Sequence, residues 1–181
     1  RELTYMFPST YSAAGPEDAY VFFTKNFSND IISVNVITDD TTATVIIYVM
    51  LSEGIVPDAD YCQKVLDYLK GLKRLPDTDK IIIKPPEVIY YELSVKYYIG
   101  TENRDTESTI VKSVMEAAQD FVSGNYESIG CDINPDVFTG YARVAGAKRL
   151  EITSPAFTKI NQNQIAICSG TSVTYCGLED A

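Results

Sequence analysis

The stretch Val88-Ile-Tyr-Tyr-Glu-Leu-Ser-Val-Lys-Tyr-Tyr-Ile99 decides the fold of the second half of this 181-residue chain. Large apolar or aromatic residues occupy every second position from Tyr91 to Ile99, and polar or charged residues stand between most of them. Successive side chains of a strand point to opposite sides, so this alternation predicts a long β-strand with one buried face. We expect that face to pack on a helix that follows the strand in the chain.

The residues after this strand predict two helices and then further strands. Each helix has a polar residue suited to the N-cap and a glycine suited to the end, namely Thr106 with Gly124 and Asn134 with Gly146. Leu150 and Ile152 mark a short strand, and residues 164–175 predict a last strand or a hairpin that turns at Ser169-Gly170. The second half therefore reads β-α-α-β-β.

The residues before the Val88–Ile99 stretch predict the order α-β-β-α-β. Gly15-Pro16 suits the start of a first helix, and Asp58 suits the N-cap of a second. The nearly all-apolar run Val45–Leu51 predicts a central strand buried on both faces, paired in a hairpin with the strand before it. A short strand at Ile81–Ile83 completes this half.

Consecutive prolines separate the two halves. Proline cannot donate to a strand ladder, so Pro85-Pro86 predicts a boundary near Lys84–Glu87. The expected fold class is α+β, with two small subdomains that each hold a roughly three-stranded sheet and two helices. We assign residues 1–14 to an N-terminal arm or linker, 15–86 to the first subdomain and 87–181 to the second. Because the chain starts with Arg1, we expect a piece of a longer protein.

Composition argues against several classes of function. The chain has 15 basic and 25 acidic residues, a net charge of −10, and no histidine. This balance opposes binding to nucleic acid or to an anionic membrane surface, because both need clustered Lys and Arg. No apolar run approaches the ~18 residues of a membrane-spanning helix. We expect neither partner.

The sequence offers no catalytic, cofactor-binding or metal-binding residues that we can assign. Without histidine and without a C-x-x-C pair, no common zinc pattern is complete. The acidic pairs at Glu17-Asp18 and Asp39-Asp40 suit helix starts and turns. We expect no cofactor and four reduced thiols, although a hairpin around Ser169-Gly170 would bring Cys168 and Cys176 opposite each other. The four are Cys62, Cys131, Cys168 and Cys176.

Aromatic side chains supply the candidates for a functional surface. Tyrosine is enriched at protein interfaces, and the 88–99 strand carries it on both faces. Charged side chains protect an open sheet edge from pairing with another strand. The segment 154–178 has almost none, so as an open edge it would be unprotected. Burial within the chain remains the alternative for both segments. The candidate contact residues are Tyr90, Tyr98, Phe157 and Tyr175.

Several motifs, in one order along residues 13–179, resemble the phage baseplate J-like family of contractile tails. They begin with a Gly-Pro-Glu helix start and a Leu-Pro-Asp-Thr-Asp stretch that runs into a strand and prolines. A Tyr-Glu-Leu strand start, a Gly-x-Asp-Ile-Asn-Pro helix start and a small-residue step follow. The matching segments are Ala14–Tyr20, Arg74–Pro86, Tyr91–Leu93, Gly130–Pro135, Ala145–Leu150, Ser154–Thr158 and Val173–Gly177.

The resemblance implies the C-terminal portion of a structural protein of the baseplate wedge, in a phage tail or a prophage-derived injection machine. Its partners would be other baseplate and tail proteins, together with self-association. Its place would be the virion tail baseplate, after assembly in the bacterial host cytoplasm. The resemblance implies no catalytic residue. Two alternatives stay open: a small enzyme using carboxylates or a thiol, and a carbohydrate-binding domain with Tyr rings lining a groove.

Overall fold

The computed structural model describes residues 17–39, 41–72, 75 and 79–180. The predicted N-terminal arm, the helix start at Gly15-Pro16 and Asp40 therefore lie outside the described residues, as does most of the 74–78 motif. The described part of the chain is α+β, as expected, with four α-helices and two three-stranded sheets. None of its helices is long and apolar enough to cross a membrane.

The chain divides into two compact units. The first comprises Arg1–Glu87 with two short later segments, Glu127–Gly130 and Gln162–Gln164. The second comprises Val88–Tyr126, Cys131–Asn161 and Ile165–Ala181. The assignment of 15–86 and 87–181 to separate subdomains stays a prediction about how these units fold and unfold.

The first unit has the predicted order α-β-β-α-β. Its sheet is ordered β1-β2-β3, with β1 and β2 antiparallel and β2 and β3 parallel. The β1–β2 hairpin is thus confirmed. The elements are α1 (Glu17–Lys25), β1 (Ile31–Asp39), β2 (Thr44–Leu51), α2 (Ala59–Gly71) and β3 (Lys80–Lys84). The predicted cap of α2 is also confirmed, because an Asp58 carboxylate oxygen accepts a 2.8 Å bond from the Tyr61 amide.

Strand β2 is the central strand of its sheet, as its apolar run predicted. Its odd-numbered residues from Val45 to Val49 are fully buried against α1 and α2. Ile46 and Tyr48, on the opposite face, are only half-buried. Met50, on that same face, is fully buried, so the expectation that both faces are buried holds at one end of β2 and is wrong at Ile46 and Tyr48.

The second unit is built on the long strand predicted at residues 88–99. Its elements are β4 (Glu87–Gly100), α3 (Glu107–Tyr126), α4 (Pro135–Val144), β5 (Arg149–Ser154) and β6 (Gln164–Glu179). The sheet is ordered β5-β4-β6, and β5 is antiparallel to β4. Two contacts between β6 and β4 join residues that are separated by the same number of positions in the chain. Ser169 donates a 3.1 Å bond to the Tyr91 carbonyl, and the rings of Tyr97 and Tyr175 lie 5.6 Å apart. This constant offset means that β6 runs parallel to β4.

The core of the second unit lies between the sheet and its two helices. The odd-numbered residues of β4 from Tyr91 to Ile99 are buried, which confirms the face assigned from the alternation. The ring of Phe121 in α3 packs edge-on to the Tyr91 ring, with 6.2 Å between their centroids. Its centroid lies 5.8 Å from that of Phe138 in α4. Burial raises the pKa of the Tyr91 hydroxyl to about 12, although a 2.8 Å bond from the Asn125 amide opposes that shift.

The ends of helix α3 differ from the prediction. The Thr106 hydroxyl does not cap α3. It donates a 3.1 Å bond to the Asn103 carbonyl within a short 3-10 turn, and α3 begins at Glu107. Gly124 does not end the helix either, because Asn125 extends it and bonds to the Tyr91 hydroxyl and the Phe121 carbonyl. For α4, the Asn134 cap is confirmed by a 3.0 Å bond from the Asp136 amide.

Of the two alternatives for residues 164–175, the single last strand is confirmed and the hairpin around Ser169-Gly170 is wrong. Strand β6 is continuous for 16 residues, because its pairing with β4 persists where the local sequence favoured a turn. Cys168 and Cys176 therefore lie on one strand, and eight residues at strand spacing separate them by about 26 Å. All four cysteines are free thiols in the structure.

Candidate assembly surface

The outer face of β4 is the surface on which two of the predicted contact residues lie. Its side chains are Tyr90, Glu92, Ser94, Lys96 and Tyr98, which range from half-buried to exposed. Tyr90 is 69% exposed, and Tyr98 is half-buried. These rings stand at the two ends of one strand face, with polar side chains between them. Such a face combines aromatic contact area with hydrogen-bonding groups, as protein interfaces do.

Arg149 of β5 holds the Tyr98 ring in place. Its guanidinium lies 3.9 Å from the centroid of that ring, and β5 residue Arg149 pairs with β4 residue Tyr98 in the sheet. The same guanidinium donates two 2.9 Å bonds to the Glu179 carboxylate and also contacts Glu151. The bonds to Glu179 raise the pKa of Arg149, and the Arg149 bonds lower the pKa of Glu179. Tyr98 is therefore a pre-positioned side chain, whereas Tyr90 is largely surrounded by solvent.

The other two predicted contact residues lie elsewhere. Tyr175 packs on the Tyr97 ring, on the helix-facing side of the sheet, and is half-buried. Burial and a bond to Glu107 raise the pKa of its hydroxyl. Phe157 is 61% exposed in the loop after β5, next to a bridge between Ile133 and Thr158. The structure therefore brings Tyr90 and Tyr98 onto one face and places Tyr175 on the opposite side of the sheet.

Helix α4 exposes an apolar stripe beside the apolar residues that it packs on the core. Phe138 and Ala142 are buried, but Val137, Tyr141 and Val144 are 42%, 45% and 92% exposed. The sequence contained a signal for this exposed stripe. Apolar residues lie on more than one side of this ten-residue helix, and a single core covers only one side.

A small cavity in the second unit is lined by one thiol and two acidic side chains. It has a volume of about 150 Å³, and its lining includes Asp120, Cys131 and Asp132. The Asp132 carboxylate accepts a 2.7 Å bond from the Ile160 amide, so it already holds the chain after β5 in place. Within the residues that the structure describes, no group of three or more Cys, Asp or Glu side chains is arranged to hold a metal ion.

A family model matches part of the chain. Residues 12–85 match the family model of the Baseplate J-like central domain. This confirms the resemblance over the first two motifs and the elements between them. The later motifs, from Tyr91–Leu93 onward, lie outside the matched range. No curated protein sequence matches the chain.

Among solved structures, the fold is similar to a chain in the cryo-EM structure of the anti-feeding prophage (AFP) baseplate, 6-fold symmetrised. The two chains superpose with a TM-score of 0.53 at 8% sequence identity. The alignment covers 80% of this chain and 35% of the other, so this chain spans about a third of that protein's length. At this identity the similarity concerns the fold, and it extends beyond the residues that the family model covers.

Proposed function

We propose that this chain, which carries the Baseplate J-like central domain over residues 12–85, is a structural component of a contractile-tail baseplate. Its role would be assembly of the baseplate wedge through contacts with other proteins. The match to the family model is the observation that carries this proposal. The likeness of its fold to a chain of the AFP baseplate supports it independently.

The outer face of β4 is the contact surface that this proposal favours. Aromatic side chains contribute most to binding free energy when a partner removes them from water. At the strongest positions their truncation costs roughly 2 kcal/mol or more of that binding free energy. Tyr98 loses little side-chain freedom on binding, because Arg149 already holds its ring. Tyr90 offers more new buried area, because it is 69% exposed. We infer that both rings meet a partner, and that Phe157 meets one through the loop after β5.

The partners would be other baseplate and tail proteins, and the place of action the tail baseplate after assembly in the host cytoplasm. The four free thiols suit that reducing compartment. A net charge of −10 would favour partners with basic contact surfaces, because complementary charge speeds and orients association. This role requires no catalytic group and no cofactor from the chain.

The test is incorporation of the full-length protein into particles in induced host cells. The double variant Tyr90→Ser/Tyr98→Ser should stay folded, with a stability loss of roughly 1–2 kcal/mol that includes the contact between Tyr98 and Arg149, yet fail to enter baseplates. Val144→Ser is the control, because it removes an apolar side chain of α4 that is 92% exposed and lies outside the cavity at Cys131. A folded double variant that enters baseplates normally would rule out Tyr90 and Tyr98 as anchors. Recovery of the wild-type protein with metabolic enzymes and without tail proteins would contradict the structural role itself.

The cavity at Cys131 supports a second candidate, a small site that uses a thiol or carboxylate. Its lining brings Cys131 together with Asp120 and Asp132. Cys131→Ala tests this second candidate. If the outer face of β4 alone serves assembly, this variant of the cavity should enter baseplates as the wild type does. Loss of incorporation with unchanged folding would show that the cavity contributes to the function.

A further inference from the structure

The sheet of the first unit has a face that its two helices leave open. Helices α1 and α2 pack on the odd-numbered residues of β2, which belong to the core of the unit. Three isoleucines on the opposite face are half-buried and lie outside that core. They are Ile37, Ile46 and Ile82.

The strand register places these isoleucines in one row. Ile37 of β1 pairs with Ile46 of β2, which in turn pairs with Ile82 of β3. Paired residues of neighbouring strands point to the same side of a sheet, and two strand spacings make the row about 10 Å wide. The three side chains therefore form an apolar strip across the sheet, which we call the isoleucine strip.

Two lysines of the edge strand β3 flank this strip. Lys80 and Lys84 are exposed and point to the same side as Ile82, because side chains alternate along a strand. Four residues at strand spacing separate the two lysines by about 13 Å. Neither forms an ion pair with another residue that the structure describes. The β3 end of the strip is therefore positively charged, in a chain whose net charge is −10.

The carboxylate of Asp39 faces the same way at the opposite edge of the sheet. Asp39 pairs with Thr44, which pairs with Lys80, so two strand spacings of ~4.8 Å separate the acidic residue from the lysine. The Asp39 carboxylate accepts a 3.0 Å bond from the Thr41 amide and a 2.7 Å bond from the Thr42 hydroxyl. It is thus engaged by the turn after β1 and does not neutralise the lysines.

The same face is covered further along the sheet. The two short later segments of this unit lie there. The Ile129 amide donates a 3.1 Å bond to the Ser33 hydroxyl, and the Asn35 side-chain amide donates a 2.6 Å bond to the Gln162 carbonyl. Met50 is fully buried at this end of the face, whereas the residues of the isoleucine strip keep part of their surface exposed.

We propose that the isoleucine strip, with Lys80 and Lys84, binds an acidic amphipathic helix of another protein. The inference deepens the proposed assembly role, on which its biological meaning rests, by stating the chemistry of one partner. Complementary charge argues for acidic residues opposite the two lysines. A helix suits a sheet face because its backbone groups bond within the helix, whereas an extended segment lying flat on that face would leave backbone donors and acceptors without partners.

The spacing of the two lysines fits such a helix. Residues seven or eight positions apart lie on one side of a helix and are separated by about 10–12 Å along its axis. Carboxylates at two such positions would meet Lys80 and Lys84. Apolar residues three or four positions after the first carboxylate lie on the same side and would pack on Ile82.

The experiment is photo-cross-linking of the full-length protein in induced host cells, with p-benzoylphenylalanine in place of Tyr48. Tyr48 is half-buried and lies between Asn35 and Lys84 in the sheet, so an aromatic probe replaces an aromatic side chain on this face. Mass spectrometry of the cross-linked peptide reads the partner's sequence. We expect a segment of another protein with apolar residues at helical spacing and with Asp or Glu seven or eight positions apart.

Other occupants of the face give different results in the same experiment. A cross-link to a segment without acidic residues, to a second copy of this chain, or within the chain itself would overturn the proposal. So would the absence of any cross-link from position 48.

Charge reversal tests the two lysines. Lys80→Glu/Lys84→Glu should lower the cross-link yield roughly tenfold or more, because attraction becomes repulsion at both positions. The milder Lys80→Gln/Lys84→Gln removes the charges alone and should cause a smaller loss. Lys64→Glu/Lys70→Glu is the matched control, because it makes the same change of charge at exposed positions of α2. An equal loss in the control, or no loss in either variant of β3, would contradict the proposal.

A third variant tests the apolar strip. Ile82→Thr keeps a β-branched side chain but adds a hydroxyl that an apolar partner leaves without a hydrogen bond, so the yield should fall. Ile55→Thr is the control, because Ile55 is 54% exposed in the loop after β2. Equal yields from the two variants would contradict a role of the strip. Circular dichroism and thermal unfolding of the purified 181-residue chain verify that each variant is folded.

Tail particles from the same cells separate this inference from the proposed function. A cross-link to an acidic helix in cells whose particles lack the protein would support the surface and contradict the baseplate role. Particles that contain the protein but give no cross-link from position 48 would contradict the surface alone.

Discussion

Replacing Gly146 by alanine tests how α4 is held against α3. Gly146 has a φ of +107° and ends α4 in a Schellman motif, in which its amide donates to Arg143 and the Ala147 amide to Ala142. An added Cβ would lie 3.0–3.2 Å from three side-chain carbons of Ile110. Two costs therefore combine at this position, one from the backbone and one from packing.

The expected loss of stability follows from these two costs. A side chain in a left-handed conformation costs roughly 1–2 kcal/mol, and overpacking a core costs ~1–3 kcal/mol. We expect Gly146→Ala to lower the free energy of unfolding by roughly 2–5 kcal/mol, a large part of the ~5–15 kcal/mol typical of a domain. Urea unfolding followed by circular dichroism measures the difference.

The matched control is Gly140→Ala, the same change within helix α4. An added Cβ there meets nothing within 4 Å. Alanine loses less conformational freedom than glycine when a helix forms. The free energy of unfolding of this variant should therefore rise by ~0.5–1 kcal/mol. The reasoning is refuted if Gly146→Ala is as stable as the wild type, or if the two variants lose equal stability.

Three further predictions follow from particular contacts. Asn125→Ala removes the 2.8 Å bond to the buried Tyr91 hydroxyl and should cost ~1–3 kcal/mol in urea unfolding, so an unchanged midpoint would contradict that role. The Arg149 bonds lower the pKa of Glu179 below its usual 4.5, so the pair should stabilise the fold above that pH and lose its effect as the pH falls. Glu179→Gln should flatten the acid side of the pH–stability profile, and a profile identical to the wild type would exclude this contribution. Native-state hydrogen exchange should show two blocks of protection that separate near Lys84–Glu87, and one block that opens as a whole would contradict the predicted subdomains.

The parts of the fold that the sequence predicted correctly depend on local patterns. The alternation in β4 and the caps at Asp58 and Asn134 each involve residues a few positions apart, so periodicity and capping rules identify them. The resemblance to the baseplate family added what those patterns could not supply, because the elements alone describe only an acidic α+β chain.

The errors arise where distant residues compete with local signals. Ser169-Gly170 favours a turn, but pairing with β4 keeps β6 extended. Gly124 suits a helix end, but Asn125 bonds to Tyr91, 34 residues away, and the helix continues. Segments 127–130 and 162–164 belong to the first unit although the chain order places them in the second half. No periodicity in the sequence indicates these contacts.

The candidate surface was predictable only in part. Exposure of Tyr90 followed from the alternation of β4, since one face of a helix-covered sheet is left open. The pairing of Tyr98 with Arg149 could not be read from the sequence, because it depends on the register between β4 and β5. The same holds for Tyr175, which the register of β6 places on the Tyr97 ring.

The most direct test of the central claim is to locate the protein in contractile particles. The full-length protein, tagged and expressed at its natural level, would be followed by mass spectrometry of purified particles and by labelled cryo-electron microscopy. The account predicts that the protein is present in intact particles, that the label lies at the baseplate, and that deletion of the gene leaves tails without baseplates. Intact, functional particles that lack the protein would contradict the claim.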